Sequence, residues 1–183
     1  MGQKTSKEDK KLMNEYDLTK EDLEGLKAGF NDKCTRARVL TKTEFRELYG
    51  SLFPGDAVEY ADEMFRIADT DDNGQVDFTE FVRSLCLCDS KNIDDKIKIA
   101  FKLYDRDNSG TISKAEVRDL LKAYSSLIKD DDQRTTERIA SDIFHMMDED
   151  QDEEITFEEF SEAAKRYPDI LNVLSPKPPD WQE

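Results

Sequence analysis

The sequence is short of the residues on which most catalytic and zinc sites depend. It contains one His, one Trp and three Cys among 183 residues, and no two cysteines form a Cys-x-x-Cys pair. These numbers leave little for a zinc site, and the lack of a disulfide framework predicts a reducing, cytoplasmic environment. Because His145 is the sole imidazole, we also expect a protein that is not an enzyme.

Positive charge and long apolar runs are scarce as well. The chain has 27 Lys and Arg against 43 Asp and Glu, a formal net charge of -16. Nucleic-acid binding requires clustered positive charge, so this balance predicts no nucleic-acid partner. No run of 18 apolar residues is present to span a membrane, and the N-terminus lacks the apolar stretch of a secretory signal. The acidity therefore indicates either solubility or cation binding.

A repeat shows where the acids lie. Three four-residue segments open with Phe and run directly into an acidic loop, and the loops begin at Asp69, Asp105 and Asp148. A repeat of this length indicates a recurring supersecondary unit. The segments between the loops have helical periodicity, so the sequence predicts an all-α fold.

Each loop places oxygen-bearing side chains at the spacing that Ca²⁺ requires. The ion takes six to eight oxygen ligands, and a 12-residue EF-hand loop supplies them from positions 1, 3, 5, 7, 9 and 12, with Gly at position 6. Three matches in one chain predict up to three bound Ca²⁺ ions, with Mg²⁺ as an occupant in the calcium-free state. The predicted metal ligands are Asp69, Asp71, Asn73, Gln75, Asp77 and Glu80 in the first loop, Asp105, Asp107, Ser109, Thr111, Ser113 and Glu116 in the second, and Asp148, Asp150, Asp152, Glu154, Thr156 and Glu159 in the third.

The third loop departs from this pattern at position 6, where the first two loops have Gly74 and Gly110 but the third has Glu153. A non-glycine residue at positive φ costs about 1 kcal/mol, which corresponds to a loss of affinity of about five-fold. Additional acids around Glu153 offset part of this cost. We therefore expect the third loop to bind calcium.

A fourth unit precedes the three loops. The position 36 residues before Asp69 is Lys33, and from there Leu40 and Glu44 fall in register with the other units. The acids that should follow are replaced by Lys33, Thr35 and Ala37. This unit is predicted to keep its shape without binding metal.

Four units imply two EF-hand pairs. We predict an N-terminal pair with an acylation arm at residues 1–90, a C-terminal pair at 91–174 and a proline-rich tail at 175–183. Position 8 of each complete loop is apolar, and it is expected to join paired loops in a short two-stranded ladder. These residues are Val76, Ile112 and Ile155.

The first residues match a lipid-modification signal. The run Met1-Gly2-Gln3-Lys4-Thr5-Ser6 fits the N-myristoylation pattern, which places the acyl chain on Gly2. A single myristoyl chain binds membranes weakly, and nearby lysines add attraction to an anionic leaflet. The sequence therefore predicts a cytoplasmic protein that attaches reversibly to a membrane surface.

Calcium sensors differ from calcium buffers in exposing an apolar groove that binds an amphipathic helix of a target protein. Residues that could line such a groove could equally form an ordinary core. A soluble calcium buffer and a regulatory subunit held permanently on one enzyme are therefore alternatives to a sensor. The candidate groove residues are Phe30, Phe45, Tyr49, Phe53, Phe65, Phe78, Phe81 and Leu85.

The acylation signal, a first hand that contains Cys34 but lacks ligands, three complete hands and the chain length together resemble the neuronal calcium sensor family, which includes recoverin, frequenin and the visinin-like proteins. The resemblance implies a calcium–myristoyl switch, in which calcium extrudes the acyl chain and opens a groove for receptor kinases, guanylate cyclases or ion channels. Thr35 replaces the usual Pro, Ile99 replaces the usual Trp, and the tail is proline-rich. These departures are typical of a divergent member or of a calcineurin-B-like regulatory subunit.

Overall fold

The structure of the protein is a computed structural model that describes residues 6–35, 38–53, 55–88, 90, 92–128, 133–168 and 170–171. The predicted acylation site at Gly2 and the tail at 175–183 lie outside the described residues, and the predicted domain limits stay a prediction. Within these residues the elements in chain order are α1 (Lys7–Tyr16), α2 (Lys20–Lys33), β1 (Val39–Thr41), α3 (Lys42–Leu52), α4 (Val58–Ala68), β2 (Gln75–Asp77), α5 (Phe78–Cys88), α6 (Ile93–Tyr104), β3 (Thr111–Ser113), α7 (Lys114–Ile128), α8 (Gln133–Met147), β4 (Glu154–Thr156) and α9 (Phe157–Arg166).

The predicted all-α fold is confirmed, with four helix–loop–helix units in two pairs. The N-terminal pair comprises α2 to α5, and the C-terminal pair comprises α6 to α9. Local sequence sets the helix starts, as at α2, where the Thr19 side chain accepts a hydrogen bond from Asp22 N–H and Asp22 accepts one from Thr19 N–H. This reciprocal capping box satisfies two backbone donors that a helix start would leave without partners. Among the described helices, none combines the length and apolar character needed to cross a bilayer.

Short antiparallel ladders join the loops of each pair, as the apolar position 8 predicts. Leu40 pairs with Val76 between β1 and β2, and Ile112 pairs with Ile155 between β3 and β4. All four side chains are buried. Because each ladder joins two loops at their midpoints, the loops of a pair are held back to back and cannot move independently.

Aromatic side chains fill the core directly beneath the loops. In the N-terminal pair the Phe30 ring lies 5.3 Å from that of Phe81, and the Phe45 ring lies 5.5 Å from that of Phe65. In the C-terminal pair Phe101 packs on Phe160 with ring centroids 5.7 Å apart. The two pairs also pack against each other, α4 lying against α6 and α7. Each loop is therefore attached at both ends to helices whose inner faces form one core.

Candidate metal centres

The last predicted ligand of each loop is oriented by the helix that follows it. Glu80 N–H donates to Asp77 Oδ1 at 2.8 Å, and Asp77 N–H donates to Glu80 Oε2 at 2.9 Å. This is a capping box, so the residues that start the helix also direct the glutamate toward the loop. The same reciprocal pair joins Ser113 to Glu116 and Thr156 to Glu159.

The second carboxylate oxygen of each of these glutamates accepts a hydrogen bond from the start of its own loop. Glu80 Oε1 accepts a hydrogen bond from Thr70 N–H at 2.9 Å, and Glu116 Oε1 accepts one from Arg106 N–H at 2.9 Å. Glu159 Oε1 does the same with the N–H of residue 149, at 3.1 Å. Position 12 is thereby held close to position 2, which brings its carboxylate to the side of the loop where the first aspartate lies.

Carboxylate oxygens converge in all three complete loops. In each cluster the oxygens lie within 4.8 Å of one another, and the clusters are Asp69, Asp71 and Glu80; Asp105, Asp107 and Glu116; and Asp148, Asp150 and Asp152. Like charges at this separation repel each other, and a cation between them would remove that repulsion. An all-oxygen donor set of this kind suits a hard divalent cation, Ca²⁺ above all.

The first aspartate of each loop shows a difference between the sites. Asp69 accepts hydrogen bonds from Asn73 N–H and Gly74 N–H at 3.0 and 2.9 Å, and Asp105 has the equivalent bonds in its own loop. Asp148 is only 6% exposed, and its Oδ1 has no hydrogen-bond partner among the described residues. A buried oxygen without a donor is costly, and a bound cation would supply the missing contact. The third loop therefore also fits a metal ion.

Position 6 adopts a left-handed backbone in all three loops. Gly74 has φ +77° and Gly110 has φ +89°, and Glu153 has φ +72°. The glycines tolerate this conformation at little cost, whereas Glu153 carries the strain expected of a side chain in this region.

Replacing Glu153 by Gly should raise the calcium affinity of the Asp148 loop by about five-fold, because relief of about 1 kcal/mol of strain corresponds to that factor. Isothermal titration calorimetry on the full chain measures the change. Glu158→Gln, at an exposed acid of the same unit, is the control for the accompanying loss of one negative charge. Equal effects of the two variants would mean that charge, not backbone strain, governs this loop.

The first hand differs from its predicted register. Cys34 N–H donates to Phe30 O at 3.1 Å, as Asp69 N–H donates to Phe65 O at 2.9 Å, so Cys34 takes the place of the first aspartate. Lys33 is instead the last residue of α2. Cys34 lies ten residues before Glu44, whereas Asp69 lies eleven residues before Glu80. The predicted start at Lys33 is therefore wrong by one residue, because this loop is one residue shorter.

Glu44 closes the first hand without metal. Its Oε1 accepts hydrogen bonds from Thr35 N–H at 2.8 Å and from the Thr35 hydroxyl, and its Oε2 accepts from Thr41 N–H and hydroxyl, both at 2.8 Å. The Thr35 hydroxyl, followed by the backbone N–H groups, lowers the pKa of Glu44 to about 2. No other Asp or Glu occurs from residue 33 to residue 43. Thr70 makes the same two bonds to Glu80 in the second hand, so the first hand differs from it in lacking the other carboxylates and not in the contacts of its closing glutamate.

The lowered pKa of Glu44 predicts a specific pH dependence. A folded-state pKa of about 2 against an ordinary value of 4.5 stabilises the fold above the unfolded pKa, and this contribution is lost as the pH falls from about 4.5 to about 2. The difference in unfolding free energy between wild type and Glu44→Gln should therefore be full at neutral pH and shrink across that window. Urea denaturation at several pH values measures it, and Glu47→Gln, at an exposed position of the same helix, should show no such trend.

The eight predicted groove residues occupy the core in this conformation. Phe78 is half-buried, and the other seven are at most 8% exposed. The structure brings six of them into two aromatic groups: Phe30 with Phe78 and Phe81, and Tyr49 with Phe45 and Phe53. The assignment of these residues to a groove stays a prediction that requires the helices to reorient.

Sequence reasoning missed one charged cluster. Glu63 is 7% exposed on α4, between buried neighbours, and it is paired with Arg66 and Arg106. An acid inside the apolar face of a helix was the available signal, since a buried charge needs partners.

Comparisons with known proteins agree with this geometry. Two models of the EF-hand domain pair match the chain, one at residues 94–165 and the other at residues 37–85. The chain is also 30% identical, over 167 residues, to the calcium and calcium/calmodulin-dependent serine/threonine-protein kinase DMI-3 of Medicago truncatula. That alignment covers 90% of this chain and 31% of the kinase, so the chain spans about a third of its relative's length.

Proposed function

Because the chain belongs to the EF-hand family of calcium-binding proteins, we propose that it is a calcium sensor that regulates a membrane-associated target through an apolar groove. The protein acts by binding, without catalysis of its own. Three loops take Ca²⁺, and Mg²⁺ occupies them when calcium is low, since both ions prefer oxygen ligands.

The observation that carries this proposal is the direct attachment of the metal ligands to the buried aromatic core. Phe65 lies one helical turn before Asp69, and Phe81 directly follows Glu80. Phe65 packs on Phe45 across the N-terminal pair. A shift of Glu80 toward an ion therefore moves α5 and the rings packed against it. In sensor EF-hands such a shift opens the helix pair and exposes an apolar groove, whereas buffer EF-hands barely open.

The surface of α1 supports attachment to a membrane. Lys7, Lys10 and Lys11 are exposed together with one acid, Glu8, whereas the second acid between them, Asp9, is buried and paired with Lys27 at 2.5 Å. Neutralisation of that acid leaves positive charge dominant on this part of the surface. Exposed lysines next to an acyl chain on Gly2 would strengthen binding to an anionic leaflet. We therefore include an N-myristoyl group and reversible membrane association in the proposal.

Co-sedimentation of the myristoylated protein with phosphatidylserine-containing vesicles, in calcium and in chelator, tests the proposal. Pelleting that requires calcium and disappears with Gly2→Ala supports a sensor with an acyl switch. Pelleting in both conditions indicates a resident regulatory subunit of the calcineurin-B-like kind, and pelleting in neither leaves a soluble buffer or sensor.

Binding of an apolar dye separates those last two. A calcium-dependent rise in dye fluorescence indicates that the aromatic groups become accessible, as a sensor requires. Fluorescence that does not respond to calcium, in a protein that binds the ion, indicates a buffer.

A further inference from the structure

An ion-pair cluster around a buried glutamate joins the two EF-hand pairs. Glu63 lies on α4, in the N-terminal pair. Its Oε1 lies 2.6 Å from Arg106 Nη2, and its Oε2 accepts a hydrogen bond from Arg66 Nε at 3.1 Å. Glu63 is 7% exposed, so its charge depends on these two guanidinium groups for compensation. Arg106 belongs to the C-terminal pair, and Glu63 therefore lies at the centre of a contact between the pairs.

Arg66 extends this contact to the helix that enters the Asp105 loop. Its Nη2 donates to Lys102 O at 2.6 Å and to Leu103 O at 3.3 Å, in the last turn of α6. The last carbonyls of a helix lack partners within it, and a cation there also opposes the negative end of the helix dipole. Arg66 thus holds the end of α6 against α4.

Arg106 connects the contact to the calcium ligands themselves. It is position 2 of the Asp105 loop, and its backbone N–H donates to Glu116 Oε1 at 2.9 Å. Its side chain meanwhile reaches Glu63, and also Asp119 of α7 at 3.8 Å. One residue therefore has its backbone bonded to a calcium ligand and its side chain bonded to the other EF-hand pair.

A second, separate contact between the EF-hand pairs lies at the C-terminal end of α7, the helix that leaves the Asp105 loop. Gly55 N–H donates to Leu127 O at 2.9 Å, and Asp56 N–H donates to Ser126 O at 3.0 Å. A Cβ added to Gly55 would overlap the carbonyl oxygens of both α7 residues, which are backbone atoms and cannot turn aside. Only glycine permits this approach of the α3–α4 connection to the end of α7.

We propose that these contacts form an interpair clamp, consisting of Glu63, Arg66, Arg106 and Gly55, that couples calcium binding in the Asp105 loop to the docking of the two EF-hand pairs. The clamp contacts α6, the Asp105 loop and α7, which are the entering helix, the loop and the exiting helix of the third hand. It is formed in the same structure in which the carboxylates of Asp105, Asp107 and Glu116 converge. Docking and calcium loading of this loop therefore stabilise each other, and linkage makes the effect equal in both directions.

The coupling is distinct from the proposed target and membrane interactions. It rests only on calcium binding by the Asp105 loop, so failure of the vesicle or dye experiments leaves it standing. Its consequence is that calcium in the C-terminal pair influences α4, the helix that enters the Asp69 loop, without any ligand in common.

The test uses the full chain labelled with ¹⁵N-glycine. Gly110 N–H donates to Asp105 Oδ2 at 3.0 Å, so its amide signal reports the state of that loop during a calcium titration. Glu63→Gln and Gly55→Ala break the clamp at separate points and change no residue of the loop. Each should raise the calcium concentration at the midpoint of the Gly110 transition by about five-fold, the lower end of typical couplings between sites.

Matched controls lie close to both positions. Glu59→Gln removes an exposed charge from the same helix as Glu63. Gly50→Ala adds a methyl group that would have no atom of the described residues within 4 Å beyond its chain neighbours and the backbone of its own helix. Neither should move the midpoint. An unchanged or lower calcium midpoint in Glu63→Gln overturns the proposal. If circular dichroism shows that Gly55→Ala does not fold, the result for Glu63→Gln alone tests the proposal.

Discussion

We expect that replacing Glu80 by Gln will lower the calcium affinity of the Asp69 loop by about 100-fold, so that the protein binds one calcium ion fewer at moderate calcium concentrations. Glu80 is the predicted ligand at position 12, where both carboxylate oxygens bind calcium, and its capping box with Asp77 directs it into the loop. Glutamine keeps the shape but loses the charge and one acceptor oxygen. Loss of a merely supporting partner costs 10- to 100-fold in metal affinity, so loss of a ligand should reach at least the upper value.

Isothermal titration calorimetry measures the number of ions bound, and the Gly74 amide signal, which depends on a hydrogen bond to Asp69 at 2.9 Å, identifies the loop affected. Glu44→Gln is the matched control, because Glu44 has the same place in the first hand. The segment from residue 33 to residue 43 contains no other Asp or Glu to complete a site with it, so this variant should leave the stoichiometry unchanged. A loss of bound calcium in Glu44→Gln would show that the first hand does contribute a site.

Replacing Phe45 by Ala costs about 3–5 kcal/mol of unfolding free energy. The ring is fully buried, stacked on Tyr49 with centroids 5.0 Å apart and edge-on to Phe65 at 5.5 Å. Truncation of a buried phenylalanine loses its transfer free energy and leaves a cavity, which together account for this range. A change of this size is a large fraction of the stability of a typical domain.

Urea denaturation at a fixed saturating calcium concentration measures this cost, and Phe78→Ala supplies the comparison. Phe78 is half-buried beside Phe30, so its truncation removes less buried surface and should cost clearly less. If Phe45→Ala and Phe78→Ala were equally mild, Phe45 would belong to an exposed groove in solution and not to the core. Apolar-dye binding on the same variants then shows which rings become accessible with calcium.

The acidic loops could be predicted from the sequence because most of the contacts that shape them are local. Positions 9 and 12 form a capping box and position 6 turns the chain, both within twelve residues, whereas position 8 pairs with the partner loop across the ladder. Hydrogen bonds between such close neighbours follow from spacing alone. Even the strained position of Glu153 could be anticipated in this way.

In the first hand, sequence spacing did not predict the correct start of the loop. Its shape was predicted, but its register depends on where α2 ends, and α2 ends at Lys33 because Phe30 occupies the core position that Phe65 occupies in the next hand. A loop one residue shorter still has a closing glutamate, which accepts hydrogen bonds from Thr35 and Thr41. A count back from Asp69 could not detect the missing residue.

Tertiary structure alone decided the burial of the aromatic residues and the existence of the clamp. The sequence spacing of a phenylalanine is the same whether its helix pair is open or closed, so the spacing does not predict burial. The angle between helices is set by packing and not by periodicity. Glu63 and Arg106 lie far apart in the chain and on different EF-hand pairs, and they meet only because α4 packs against α6 and α7. The sequence by itself therefore determined which residues can bind calcium, through local hydrogen-bond geometry, whereas the packing of helix faces determined how the two pairs are joined.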